Sequence, residues 1–391
     1  MTVSDRWLLP DGVEDILPPV AARIEQLRRA ALDTYARWGY QQIIPPLIEY
    51  LESLLTGTGT DLALQTFKLT DQLSGRLMGV RADMTPQAAR IDAHGWQQTG
   101  VSRLCYAGHV LHTRPASPLT GRTPFQVGCE LFGSDALAAD FEVIALMLET
   151  LRLADVDRVH LDLAHVGICR NLLQAADIQG DVAEQVFDAL RRKSIPELDQ
   201  LLGAHAADSP AGMLRSLARI SGGLEGLAEA RQCLIRAPLA VQQALDAMAW
   251  IAGRLQRDYP ALEIGFDFCE LRGYNYHTGL VFAAYTPGMG QAIAQGGRYD
   301  AVGAAFGKAR PATGFSADLR LLAARQTVTT PGDAIWAPAL EDAALEGVVA
   351  GLRATQRVIR ALPGETRTPR DCGCDRQLVL REGQWVLEPL S

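Results

Sequence analysis

The stretch that decides the fold is Arg103–Gly133, RLCYAGHVLHTRPASPLTGRTPFQVGCELFG. Its two ends, RLCYAGHVL and PFQVGCELFG, are rich in apolar and β-favouring residues, and a Pro/Gly/Ser/Thr-rich loop separates them, so they read as an antiparallel pair. In the second run Gln126, Gly128 and Glu130 fall on one face, with Val127, Cys129 and Leu131 on the other. Polar residues around a glycine can floor a pocket in which a ligand approaches the backbone; a sheet with one wet face is the competing reading. The link between the strands carries His109, His112 and Arg114. They read as catalytic groups, as anion ligands, or as the remains of a lost site.

Outward from there the same texture repeats. PPVAARIEQLRRAALDTYARWG (18–39) has helical apolar spacing through Ile24, Leu27, Ala31 and Tyr35 and stops at Gly39. YQQIIPPLIEY turns from strand to irregular at Pro45-Pro46, and FKLTD and RLMGV form a hairpin across QLSG. DALAADFEVIALMLETLRLA is helical and VHLDLA returns to strand. Residues 165–258 change character to Ala, Leu, Arg and Gln at helical spacing, as in VAEQVFDALRRK, and read as a helical insertion. Strands resume with LEIGFDFCEL, GLVFAAY and QAIAQGG, and TGFSADLRLLAARQ reads as a helix. The last 66 residues, 326–391, predict a small strand–helix–hairpin domain: AIWAPA, DAALEGVVAGLRATQRVI, then RQLVLREGQWVLEPL. Strands joined by short turns make an antiparallel sheet with helices on its faces, an α+β core over 1–325 followed by a small α/β unit.

Composition excludes several classes. Hydrophobic residues at 48% suffice for a core, and a net charge of −8 disfavours non-specific nucleic-acid binding. No run reaches the ~18–20 apolar residues of a membrane span, and the N-terminus lacks a secretion signal. Seven scattered cysteines suit reduced thiols in the cytoplasm. Cys372-Gly-Cys374 lacks further ligands at metal spacing, so no metal is expected. There is no G-x-G-x-x-G after a strand, no Walker A and no G-x-S-x-G.

Other polar groups cluster. VRADMTP places Arg81, Asp83 and Thr85 at alternate positions of an extended segment, and a carboxylate beside a hydroxyl suits an ammonium group. A solvent-facing strand end is the alternative. ELRGYNYHTG brings Arg272, Tyr274, Asn275, Tyr276 and His277 together, a set fit for a small polar ligand; a surface hairpin competes. AQGGRYD adds Arg298, Tyr299 and Asp300 behind a glycine pair.

LPDGVEDILPP, GYQQIIPPLIE, VRADMTP, YAG with FQVGCELFG, LRGYNYHTGLVF, QGGRYDAVGAAFG and RPATGFSADL occur in the order found in the histidyl-tRNA synthetase core, which the chain resembles over Trp7–Ala324. The resemblance implies a class II aminoacyl-tRNA synthetase-like antiparallel sheet flanked by helices. It also implies a histidine-type pocket of Asp83, Thr85, Gln126, Glu130, Arg272, Tyr276 and His277. In that family Asp83 is a glutamate, His277 a tyrosine and Asn275 an aspartate. The nucleotide side departs further from the family. His112 stands at the α-phosphate arginine, Arg114 lies two residues beyond it, Pro124 stands near a further arginine, and Leu321 replaces the γ-phosphate arginine. Asp318 sits where a glycine lies near the adenine. A clamping arginine is worth about 10³ or more in rate, and a neutral histidine is no substitute for it.

About seventy residues follow Leu321, few for an anticodon-binding domain and without net positive charge. A core with an amino-acid pocket and ruined ATP clamps resembles the regulatory-subunit family of ATP phosphoribosyltransferase. The resemblance implies a non-catalytic chain without cofactor that assembles with the short-form catalytic subunit, activates it and confers histidine feedback. It further implies a self-dimer within the hetero-oligomer, built around Pro46, with L-histidine as candidate ligand and no tRNA. An active synthetase, or a paralogue binding another amino acid, is the alternative.

Overall fold

The computed structural model describes residues 7–57, 60–96, 98–115, 117, 120–203, 205–270, 276–324 and 333–390. The chain divides into two compact units, Met1–Gln326 and Thr327–Ser391.

The first unit is built on a nine-stranded sheet. Across it run Gln41–Gln42, Ser102–His109, Phe125–Phe132, Ala312–Asp318, Ala294–Arg298, Leu280–Tyr285, His160–His165, Glu263–Asp267 and Ser221–Gly222. Ser102–His109 and Phe125–Phe132 pair antiparallel in register from Ser102 opposite Phe132 to His109 opposite Phe125. The sheet is antiparallel except at two pairings: Gln41–Gln42 runs parallel to Leu104–Cys105, and His160–Leu163 parallel to Glu263–Phe266. The second of these is where the helical insertion separates the partners in sequence, since a parallel pair needs a long crossover. That insertion comprises Val166–Ala175, Gly180–Arg191, Ile195–Leu202, Pro210–Leu217, Leu224–Cys233 and Leu239–Asp258.

The Val20–Arg37 helix buries Ile24, Leu27, Ala31, Thr34 and Tyr35, one stripe at helical spacing, and the chain turns out of it at Gly39 with φ of 84°. The Leu137–Leu153 helix is buried on most of its surface, and Tyr35 hydroxyl meets Thr150 Oγ1 at 3.0 Å between the two. A separate three-stranded sheet, in the order Ile48–Tyr50, Leu77–Val80, Phe67–Thr70, holds the hairpin read across QLSG.

Three sequence readings are corrected here. TGFSADL is not helical: Ala312–Asp318 is a central strand between Phe125–Phe132 and Ala294–Arg298, and only Leu319–Ala323 is helix. Its Thr, Gly and Ala carry no strong periodicity, and pairing on both edges outweighs local propensity. The wet face that is the competing reading for Phe125–Phe132 is absent, because seven of its eight residues are buried. VRADMTP is not one extended segment, since Thr85 opens the Thr85–Arg90 helix with Pro86 in its first turn. Arg81 turns inward, donating to the carbonyls of Pro45 at 2.7 Å and His109 at 2.8 Å.

In the second unit the strands lie in the order Val358–Arg360, Ala334–Ala337, Cys374–Arg381, Gln384–Pro389, with helix Ala343–Arg353. The sequence pattern carries that helix through Val358-Ile359, but Val358–Arg360 lies outside it. It is instead a strand parallel to Ala334–Ala337, because the helix stops at Arg353 and the β-branched Val358-Ile359 pair enters the sheet. Cys372 and Cys374 are buried beside Ala334, and no cluster of His, Cys, Asp or Glu among the described residues is arranged to hold a metal ion.

Candidate functional site

Glu130 lies in the middle of the Phe125–Phe132 strand and is 1% exposed. Its cross-strand neighbour is Gly314, where any side chain would occupy the space of the Glu130 carboxyl. Two positions back, a side chain at Gly128 would strike the Tyr106 hydroxyl and the Phe315 carbonyl. These glycines are what allow a large polar group inside a fully covered sheet. Tyr106 hydroxyl donates to Glu130 Oε1 at 2.8 Å, Tyr299 hydroxyl donates to Oε2, and Thr85 Oγ1 reaches Tyr106 hydroxyl at 3.1 Å. Burial pushes the Glu130 carboxyl up to about 8, outweighing the hydroxyls that pull it down, and the Asp83 charge adds to the push.

Asp83 Oδ1 accepts from Gln126 Nε2 at 2.7 Å and from the Thr85 amide at 3.1 Å, while Gln126 Oε1 accepts from the Met84 amide at 2.9 Å. The Asp83–Thr85 turn is thereby fixed to the strand that carries Glu130. Tyr276 stacks on Tyr299 with centroids 5.1 Å apart, and its hydroxyl is buried with no hydrogen-bond partner among the described residues. His277 Nδ1 lies 3.3 Å from the Arg298 carbonyl oxygen. Burial lowers the ring to about 4, so it is neutral at pH 7. A nitrogen facing a carbonyl must carry the proton, which leaves Nε2 as an acceptor.

Asp83, Thr85, Glu130, Tyr276 and His277, with Glu270, line one cavity of about 170 Å³. Arg272, with Tyr274 and Asn275, lies outside the described residues. Gln126 lines instead a neighbouring cavity of about 570 Å³, which shares Asp83, Gln295 and Ser316 with the first. His112, Asp318 and Leu321 face that second cavity, and no lysine or arginine lines it among the described residues.

The groups on this second side are turned to structural tasks. His112 Nε2 is 2.9 Å from the Ala82 carbonyl oxygen. Arg122 donates to the carbonyls of His112 at 3.1 Å and Asp11 at 3.2 Å. Arg320 is held by Thr123 and Glu14. Asp318 Oδ1 accepts from the Arg320 and Phe125 amides, each at 3.0 Å, so it caps the helix that follows as well as facing the cavity. Burial raises its carboxyl above the ordinary aspartate range. Arg114 is exposed.

Sequence reasoning did not select Tyr106 or Tyr299 as site residues, yet both hold Glu130. A signal existed for Tyr106: it stands directly across from Gly128, a large residue facing an empty position. Tyr299 sat visible in AQGGRYD without a partner to give it meaning.

Fold and site together define a histidyl-tRNA synthetase-like core with a polar cavity around Glu130 and, adjoining it, a second cavity that no lysine or arginine lines among the described residues. The family model for histidyl-tRNA synthetase matches residues 12–322, and that of the ATP phosphoribosyltransferase subunit HisZ C-terminal domain matches residues 332–388. A protein of Marinobacter nauticus described as an ATP phosphoribosyltransferase regulatory subunit is 65% identical over all of both chains. A crystal structure from Bacillus halodurans, of an ATP phosphoribosyltransferase regulatory subunit/histidyl-tRNA synthetase, superposes with TM-score 0.81 at 25% identity over 93% of this chain and 95% of that one. Histidyl-tRNA synthetase from Nostoc sp. PCC 7120 shares the fold, with TM-score 0.77 at 18% identity over 98% of this chain and 97% of that one. The chain belongs to the family of ATP phosphoribosyltransferase regulatory subunits, and its role is regulatory rather than catalytic.

Proposed function

We propose that this chain assembles with the short-form catalytic subunit of ATP phosphoribosyltransferase, activates it in the first step of histidine biosynthesis, and makes it sensitive to feedback by L-histidine. The observation that carries the reading is the contrast between two adjoining cavities. One converges Asp83, Thr85, Glu130, Tyr276 and His277; the other, read as the nucleotide side, has no positively charged residue in its lining among the described residues. Adenylate chemistry depends on fixed positive charge around transferring phosphates, and Arg122 and Arg320 are held elsewhere. An amino acid is bound and reported, not activated.

The pocket roles are assigned by residue. Asp83, Gln126 and Thr85 take the ligand's ammonium group; Glu130, Tyr276 and His277 take its side chain. Arg272 is assigned the ligand's carboxylate. His112, Arg114, Asp318 and Leu321 mark the degenerate nucleotide clamp. Ile44, Leu47, Ile48 and Leu77 expose apolar surface around Pro46, which supports a self-dimer within the hetero-oligomer. No helix among the described residues is long and apolar enough to cross a membrane, and a reduced-cysteine chain of this pathway works in the cytoplasm without tRNA.

Two measurements test this. With histidine, ATP and labelled pyrophosphate, the chain gives no exchange into ATP; robust exchange would make it a synthetase. In the assembled complex, Glu130→Ala abolishes inhibition by histidine while the catalytic subunit still co-purifies. Inhibition unaltered in that variant would place the inhibitory site elsewhere.

A further inference from the structure

The helical insertion meets the wall of the first cavity at the segment Tyr276–Gly279. Its Val166–Ala175 helix follows directly on the His160–His165 strand, and the His165 ring caps it by accepting from the Gly167 amide at 3.1 Å. The Val166 amide donates to the Gly279 carbonyl at 3.1 Å. One turn on, along the same side of the helix, Arg170 Nη2 donates to the His277 carbonyl, also at 3.1 Å. Resting on the amino-acid pocket reading above, we infer that Arg170 is a positioning residue for the ligand. It does not line the cavity; it holds the backbone from which Tyr276 and His277 reach into it.

The peptide unit between His277 and Thr278 is gripped at both ends. Its N–H donates to the Arg298 carbonyl at 2.8 Å, and its C=O accepts from Arg170. A donor that carries charge, in a half-buried place, makes the second grip the stronger kind of hydrogen bond. Fixing that plane fixes the direction of the His277 side chain. The ring lies with Nδ1 3.3 Å from the Arg298 carbonyl oxygen, over Gly297, where a side-chain carbon would come within 2.9 Å of Nδ1. Order then passes to the centre of the site. His277 stands edge-on to Tyr276 with centroids 5.4 Å apart, Tyr276 stacks on Tyr299, and Tyr299 donates to Glu130. Once the His277 carbonyl is released, the peptide unit can rotate and both wall side chains can leave this geometry. Apparent affinity then falls by the fraction of time the wall is out of place.

The test is calorimetric titration of L-histidine into the full chain, well below the thermal melt of every form compared. Arg170→Met keeps an apolar stem and removes the donor. It is expected to weaken histidine binding by about tenfold or more, the scale of a hydrogen bond from a charged group. Arg170→Lys keeps a charged donor without the planar fork, and its affinity is expected to fall between the two. As the milder change, it also reads the effect if the methionine variant does not fold. Arg231→Met is the control, because Arg231 donates within the insertion, to the Leu245 carbonyl at 3.3 Å and to Asp246 at 2.6 Å. It is expected to bind histidine as the native chain does. A lowered melt with native affinity in Arg170→Met would make Arg170 merely structural and overturn the proposal. Equal losses in Arg170→Met and Arg231→Met, or a lysine variant no better than the methionine one, would overturn it too. In each of these cases the native chain still binds, so the pocket reading stands; a native chain that binds no histidine would overturn that reading itself.

Discussion

Glu130 carries its proton in the folded chain to about pH 8, whereas an unfolded glutamate releases it near ~4.3. Between those values the folded state binds the extra proton, so the group's contribution is full below about 4.3 and is lost as the pH rises through about 8. Glu130→Gln removes this dependence and nearly preserves the shape. Urea melts at pH 5.5 and pH 8.5 are therefore expected to show the native chain losing more stability over the interval than the variant. Parallel losses would mean that Glu130 is already ionised. His165 and His277 oppose it on the acid side, since burial lowers both to about 4. They stay neutral when unfolded histidines charge, and that stability is lost as pH falls from about 6.5 towards 4. At this scale the sequence showed which side chains were polar and which alternated, but not that Tyr106 and Tyr299 clamp Glu130. Those contacts depend on strand register and on the empty positions at Gly128 and Gly314, which no local pattern encodes.

The helix Leu137–Leu153 is tied to the sheet by a buried ion pair as well as by apolar packing. Arg298 holds Asp140 at 2.9 Å, with side-chain exposures of 10% and 1%, and also donates to the Ser134 carbonyl and Asp300. Removing one partner leaves the other charge buried, so Asp140→Ala is expected to cost about 3–5 kcal/mol in denaturant unfolding. The double change Asp140→Leu with Arg298→Met is expected to cost less than the single one; a larger cost would show that the pair itself is the main tie. Long periodic elements were legible at this scale: Val20–Arg37, Leu137–Leu153 and the insertion helices follow from apolar spacing. The failures share a cause. ATGFSAD and VIR are short, weakly patterned segments whose state is set by neighbours far away in sequence, so the apolar residues that follow or precede them drew both into helices.

For the whole molecule, a synthetase-type core carries the proposed amino-acid pocket, and the residues of its proposed nucleotide side are held in structural contacts. His112, Arg122, Asp318 and Arg320 are now spent on carbonyls, a cap and an ion pair. The order of motifs made the class II core legible, and the residues at His112 and Leu321 are what carry the proposal that the ATP clamps are lost. The redeployment of Arg122 and Arg320 was not legible, because it depends on the N-terminal segment reaching Asp11 and Glu14 to the same place. The most direct measurement is the turnover of the short-form catalytic subunit, alone and with this chain at equal concentration, across a histidine titration. A regulatory role predicts that turnover rises on mixing and that histidine then suppresses it in the mixture. Turnover unchanged by the chain, with no complex formed, would contradict that role.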